Sequence, residues 1–130
     1  MALLPVNPAS LSRPVGFSHG IRGRGELLLV AGQIGWDREG HMVGGGLVAQ
    51  FGQALDNVLE VVRAAGGEPG CVARLTLYVV DKREYREQRR QIGEAYRERM
   101  GRHFPAMTLV EVRSLLEDDA RIEIEAVALL

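Results

Sequence analysis

The sequence predicts an α+β sandwich, with a sheet on one side and two helices on the other. Two observations predict it. Runs with strand patterning and runs with helix patterning follow one another as strand, strand, helix, strand, helix, strand, strand, an order that packs into those layers. Both helical runs also carry stop signals, and the second carries a start signal as well. The length agrees: 130 residues make about one domain, 1–130.

The elements follow in order. Residues 6–14 read as irregular, because Pro5, Pro8 and Pro14 exclude regular helix around them. Residues 16–21 form a short strand, and Gly23-Arg24-Gly25 turns the chain. Residues 27–32 are a continuously apolar strand. Asp37-Arg38-Glu39-Gly40 is turn chemistry. A helix then spans 47–65, with Phe51, Leu55, Val58, Leu59 and Val62 on one face. Gly66-Gly67 ends it, since glycine adopts the left-handed cap at little cost. Residues 74–80 alternate as a strand. Asp81 followed by Glu84 resembles a capping box and starts a charged second helix. Its apolar stripe is thin: Tyr85, Ile92, Tyr96 and Met100. Gly101 and Pro105 stop it, and strands over 107–112 and 121–129 follow.

Two helices cover only one face of a sheet. Residues 27–32 are nevertheless apolar on both faces, and so are residues 74–80; a sheet with one wet face should alternate cleanly. The surplus apolar face predicts a homo-oligomer that buries it against a neighbour. On the last strand Ile122, Ile124, Ala126 and Ala128 share one face, and Arg121, Glu123 and Glu125 the other. At a subunit interface Glu123 becomes a partly buried carboxylate beside a cleft, a position with functional potential.

Composition and motifs exclude much else. The formal net charge is −1, so neither nucleic acid nor a membrane surface is an expected partner. A membrane-spanning helix needs roughly 18 consecutive apolar residues, and no run approaches that. The opening residues 1–8 lack a basic region and do not read as a signal peptide. The single cysteine, Cys71, permits no internal disulfide and points to reducing cytoplasm. His19, His41 and His103 have no metal-ligand spacing, so no metal is expected. The arginines of the second helix interleave with glutamates at spacings of three or four, which predicts a solvated, internally paired face.

Three segments carry a family resemblance. The first is Val6-Asn7-Pro8-Ala9-Ser10-Leu11-Ser12-Arg13-Pro14-Val15-Gly16-Phe17-Ser18-His19-Gly20, the second Val30-Ala31-Gly32-Gln33-Ile34. The third is Pro105-Ala106-Met107-Thr108-Leu109-Val110-Glu111-Val112 with Ile122-Glu123-Ile124-Glu125-Ala126. Together they resemble the RidA family, also called YjgF-type or reactive intermediate deaminase proteins. The resemblance implies a RidA-like (chorismate-mutase-like) α+β sandwich. It would have a mixed sheet of about six strands, two helices on one face, and a homotrimer with clefts between subunits. It implies hydrolysis of reactive enamines and imines without a cofactor. The family's site positions fall on Phe17, Gly32, Gly93, Met107 and Glu123, with Glu123 orienting the attacking water. Three of them depart from the family: Met107 stands where the signature arginine clamps a carboxylate, Phe17 where a tyrosine stands, and Gly93 where an asparagine stands. Methionine offers soft apolar surface in place of a bidentate clamp. The expected ligand is therefore small and neutral or apolar, such as an imine without a carboxylate. The alternative is a non-catalytic ligand-binding or regulatory homotrimer with a degenerate site. Whether His19, Trp36 or His103 lines the cleft does not follow from sequence.

Overall fold

A computed structural model describes residues 3–130. Residues 1 and 2, at the head of the stretch read as lacking a leader, lie outside the described residues. The strands are β1 (Leu4–Val6), β2 (Gly20–Arg22), β3 (Leu27–Gln33), β4 (Val72–Val79), β5 (Ala106–Glu111) and β6 (Ile122–Leu129). The helices are α1 (Gly46–Ala64), α2 (Lys82–Glu87) and α3 (Arg89–Met100).

Six strands form, but not one sheet of six. The main sheet has four strands in the order β3-β6-β4-β5, and β1 and β2 make a separate pair. It is mixed as expected, since β4 runs parallel to β5 while β6 is antiparallel to both β3 and β4. The separate pair is short and proline-bearing: Pro5 faces Ile21 and has no N–H to extend a ladder. A single parallel bridge, Ser18 to Ala106, fastens this region to the β5 edge. Ser18 N–H donates to Pro105 O at 3.0 Å and its hydroxyl donates to Phe104 O at 2.6 Å.

α1 matches its predicted span. Gly45 and Gly66, with φ of 103° and 91°, flank it in conformations that suit glycine. The expected single second helix is instead two, broken at Gln88 (φ −106°, ψ 16°). Asp81 caps α2 as expected, its carboxylate accepting from the N–H groups of Arg83 and Glu84 at 2.9 and 3.2 Å. The reciprocal half of the capping box is missing, because the Glu84 carboxylate takes Arg121 at 2.6 Å.

The core lies between α1, α3 and one face of the sheet. Phe51, Leu55, Val58, Leu59 and Val62 are all buried there, against Leu75, Leu77, Val79, Ile122 and Ile124. Each fully buried side chain of this size contributes roughly 1.5–3 kcal/mol. Among the described residues no helix covers the opposite face. Leu27 and Leu29 are 60% and 69% exposed on it. The doubly apolar pattern therefore holds for β3. It fails for β4, where Arg74, Thr76 and Tyr78 alternate with the buried residues.

Candidate functional site

The sequence-predicted site residues fall into two groups on opposite faces of the sheet. Glu123 and Gly32 share the open face. Strand alternation puts Ile122 and Ile124 under the helices, and so turns Glu123 and Glu125 the other way. A bulge between Val30 and Gln33 shifts the β3–β6 register by one residue and brings Gly32 beneath Glu123. A Cβ added at Gly32 would lie 2.5 Å from Glu123 Oε1 and 2.8 Å from its Cδ. Glycine at 32 is therefore what leaves room for this carboxylate. Glu123 is half-buried. Among the described residues it forms no ion pair.

The surroundings of Glu123 are ordered. Tyr78 is its register partner on β4 and donates to Glu125 at 2.6 Å. That hydrogen bond, with some loss of solvation and the charges of Glu125 and Glu123, holds the Tyr78 phenol above its ordinary value of 10.0. The chain leaving β3 is tied to α1, because the Asn57 amide donates to Ile34 O and Trp36 O at 3.2 and 2.9 Å.

Phe17, Gly93 and Met107 gather on the helix side. They line a cavity of about 1380 Å³ between α2, α3 and β5 that neither Gly32 nor Glu123 reaches. Met107 sits beside Leu75 in the β4–β5 register and so points toward the helices. Phe17 packs edge-on against His19, with ring centroids 5.2 Å apart. A Cβ added at Gly93 would meet Arg97 Nη1 at 3.4 Å, so the Arg97 guanidinium lies back over this glycine.

The cavity is not the cation-free pocket that Met107 suggested. Lys82, Arg86, Arg89, Arg90 and Arg97 line it, against Glu87 and Glu111. The helix face is only partly paired within itself. Arg90 meets Glu94 at 3.6 Å and Arg99 meets Glu98 at 3.7 Å, while Arg99 also turns inward to Asp56 at 2.8 Å. Arg86, Arg89 and Arg97 form no ion pair among the described residues. All three are exposed, as expected of a solvated face. The signal in the sequence is spacing: 89, 90, 93 and 97 share one face of α3, and Arg86 joins the rim from α2.

The three aromatic candidates separate. His103 lines a smaller cavity of about 290 Å³ with Phe17, its Nε2 lying 2.6 Å from Val72 O. His19 Nε2 lies 2.7 Å from Ser12 O. Trp36 follows β3, its indole Nε1 lying 3.5 Å from Gln33 Oε1. Among the described residues no group of His, Cys, Asp or Glu could hold a metal ion. None of their helices is long and apolar enough to cross a membrane.

The sheet is thus mixed, with helices on one face and, on the other, a glycine cradling a strand carboxylate. The chain belongs to the family described as endoribonuclease L-PSP, whose model matches residues 9–130. Its structure is similar to a Rid-family protein of unknown function, YyfB of Yersinia pestis. The two are 36% identical and align over all of both chains, with a TM-score of 0.89. Two relatives carry the name 2-iminobutanoate/2-iminopropanoate deaminase. The Escherichia coli K12 protein is 35% identical over 80% of this chain and 80% of its own. The human protein is 34% identical over 78% and 72%.

Proposed function

We propose that this protein hydrolyses imine or enamine compounds in a cleft completed by a second copy of the chain. Glu123 accepts a proton from water, and the water oxygen bonds to the imine carbon. Glu123 passes that proton to nitrogen to give a carbinolamine; the carbinolamine hydroxyl proton then moves by way of Glu123 to the amine as the C–N bond breaks, leaving a carbonyl compound and ammonia. General-base assistance of this kind contributes typically 10²–10⁴-fold, an order-of-magnitude range. The observation that carries the proposal is the fit of the Glu123 carboxylate over Gly32. The family, and the deaminase names of two relatives, support the reaction class.

The cleft joins Phe17, Gly93 and Met107 of one protomer to Gly32 and Glu123 of its neighbour. The uncovered leucines of β3 support such packing, and a closed trimer satisfies it with one repeated contact. Met107 offers no clamp to a carboxylate on the imine carbon itself, so the favoured substrates lack one there. The protein acts as a water-soluble cytoplasmic trimer.

The test is ammonia release from freshly generated imines, with and without a carboxylate on the imine carbon. Turnover of the second kind is expected, and Glu123→Gln should reduce it by roughly a hundredfold or more. No release above background from any imine overturns the proposal.

A further inference from the structure

We infer that the cavity between α2–α3 and β5 binds an amphipathic organic anion, held at its head by Arg86, Arg89 and Arg97. This rests on the proposal above for the reaction and adds the class of substrate: an apolar body with its charge set away from the imine carbon.

Three observations carry it. The cavity combines an apolar floor of Leu75, Leu77, Phe104, Met107 and Leu109 with a rim of five cations against two carboxylates. Such concentration is local, since the whole chain has a net charge of −1. One of the two acids is already engaged: the Glu111 carboxylate accepts from the Lys82 N–H at 2.8 Å. The three arginines have no carboxylate partner among the described residues. They are exposed at the cavity mouth, so an anion meets them without stripping buried charge of its solvent. The Arg97 guanidinium lies beside Gly93 at the cavity wall, where an added Cβ would touch its Nη1 at 3.4 Å. Guanidinium groups prefer planar, bidentate acceptors such as carboxylates and phosphates.

A nucleic-acid strand fits less well. It needs free aromatic faces as well as charge. Here Phe104 is stacked on Tyr96 and Phe17 is turned against His19. The apolar floor of this open cavity instead matches an alkyl or aryl body.

The experiment is calorimetric titration of the full chain with octanoate, octyl phosphate, octylamine and acetate. Octanoate or octyl phosphate should bind, while octylamine and acetate should not. Which of the two binds tells a carboxylate from a phosphate head. Arg89→Gln combined with Arg97→Gln should weaken that binding roughly tenfold or more, since each removes a charge-assisted contact. Arg63→Gln, distant on α1, should leave it unchanged. Equal binding of octylamine overturns the inference, and so does unchanged affinity in the double variant. A short polyuridine that binds through Arg89 and Arg97 while octanoate does not also overturns it. Octanoate binding without ammonia release from any imine defeats the deaminase proposal and leaves this one standing. Ammonia release that neither octanoate nor octyl phosphate inhibits defeats this one alone.

Discussion

The same four strands build two unlike faces. On the covered face Leu59 of α1 and Leu77 of β4 are almost wholly removed from solvent, while on the other Leu27 and Leu29 remain mostly exposed. The covered face holds the fold together within one protomer. The open face holds Glu123 over Gly32 and leaves apolar surface unspent. The difference teaches that the core and the proposed general base sit on opposite sides of one sheet. A substitution can therefore harm one with little effect on the other.

The largest expected effect belongs to the covered face. Leu59→Ala should cost about 2–5 kcal/mol in chemical denaturation, because it empties a fully buried site. On the open face Gly32→Ala should leave the midpoint of unfolding nearly unchanged and lower turnover by about a hundredfold. The new methyl group takes the place of the Glu123 carboxylate. Equal loss of stability in both variants would break the distinction. Leu29→Glu should be smaller still in its effect on the protomer. Light scattering should nonetheless show its mass falling toward 14.3 kDa, from about three times that value for the native chain. A native chain that already runs at the protomer mass would remove the open face from assembly.

The smallest effect is on pH dependence. Tyr78 and Tyr85 both have their ionisation pushed above 10.0. For Tyr78 the chief cause is its hydrogen bond to Glu125, and for Tyr85 it is burial, opposed by Arg89. The folded state holds these protons more tightly than the unfolded chain. Their contribution is full below pH 10 and is lost as pH rises beyond it. Melting temperature should thus fall above pH 10, and less so in Tyr78→Phe. An identical alkaline decline in that variant would show that Tyr78 is not responsible.

Much of this was legible in the residues. The α1 face from Phe51 to Val62 was readable because its apolar spacing and its terminating glycines agree. β6 was readable because Ile122 through Ala128 alternate without interruption. Asp81 was found as a cap, but its partner was not, because Glu84 answers to Arg121, distant in sequence. Leu4–Val6 escaped notice as a strand because its proline hides a short edge pairing. The division of the site was hidden for a different reason. Alternation assigns faces within a strand, yet nothing local says that Met107 and Glu123 face opposite ways. That follows only once β5 and β6 are both placed beside β4. The arginine rim was misjudged because nearby glutamates suggested neutralisation that the α3 geometry mostly does not deliver.

The strand order has a consequence for how the chain assembles itself. β6 follows every other strand in sequence, yet lies in the interior of the main sheet, between β3 and β4. Until it emerges, β3 has no neighbour at all and β4 has only β5. A nascent chain must therefore carry its helices and an open strand edge through most of synthesis, a condition in which incomplete sheets are prone to pair wrongly. The four-stranded sheet is complete only when β6 pairs with both β3 and β4.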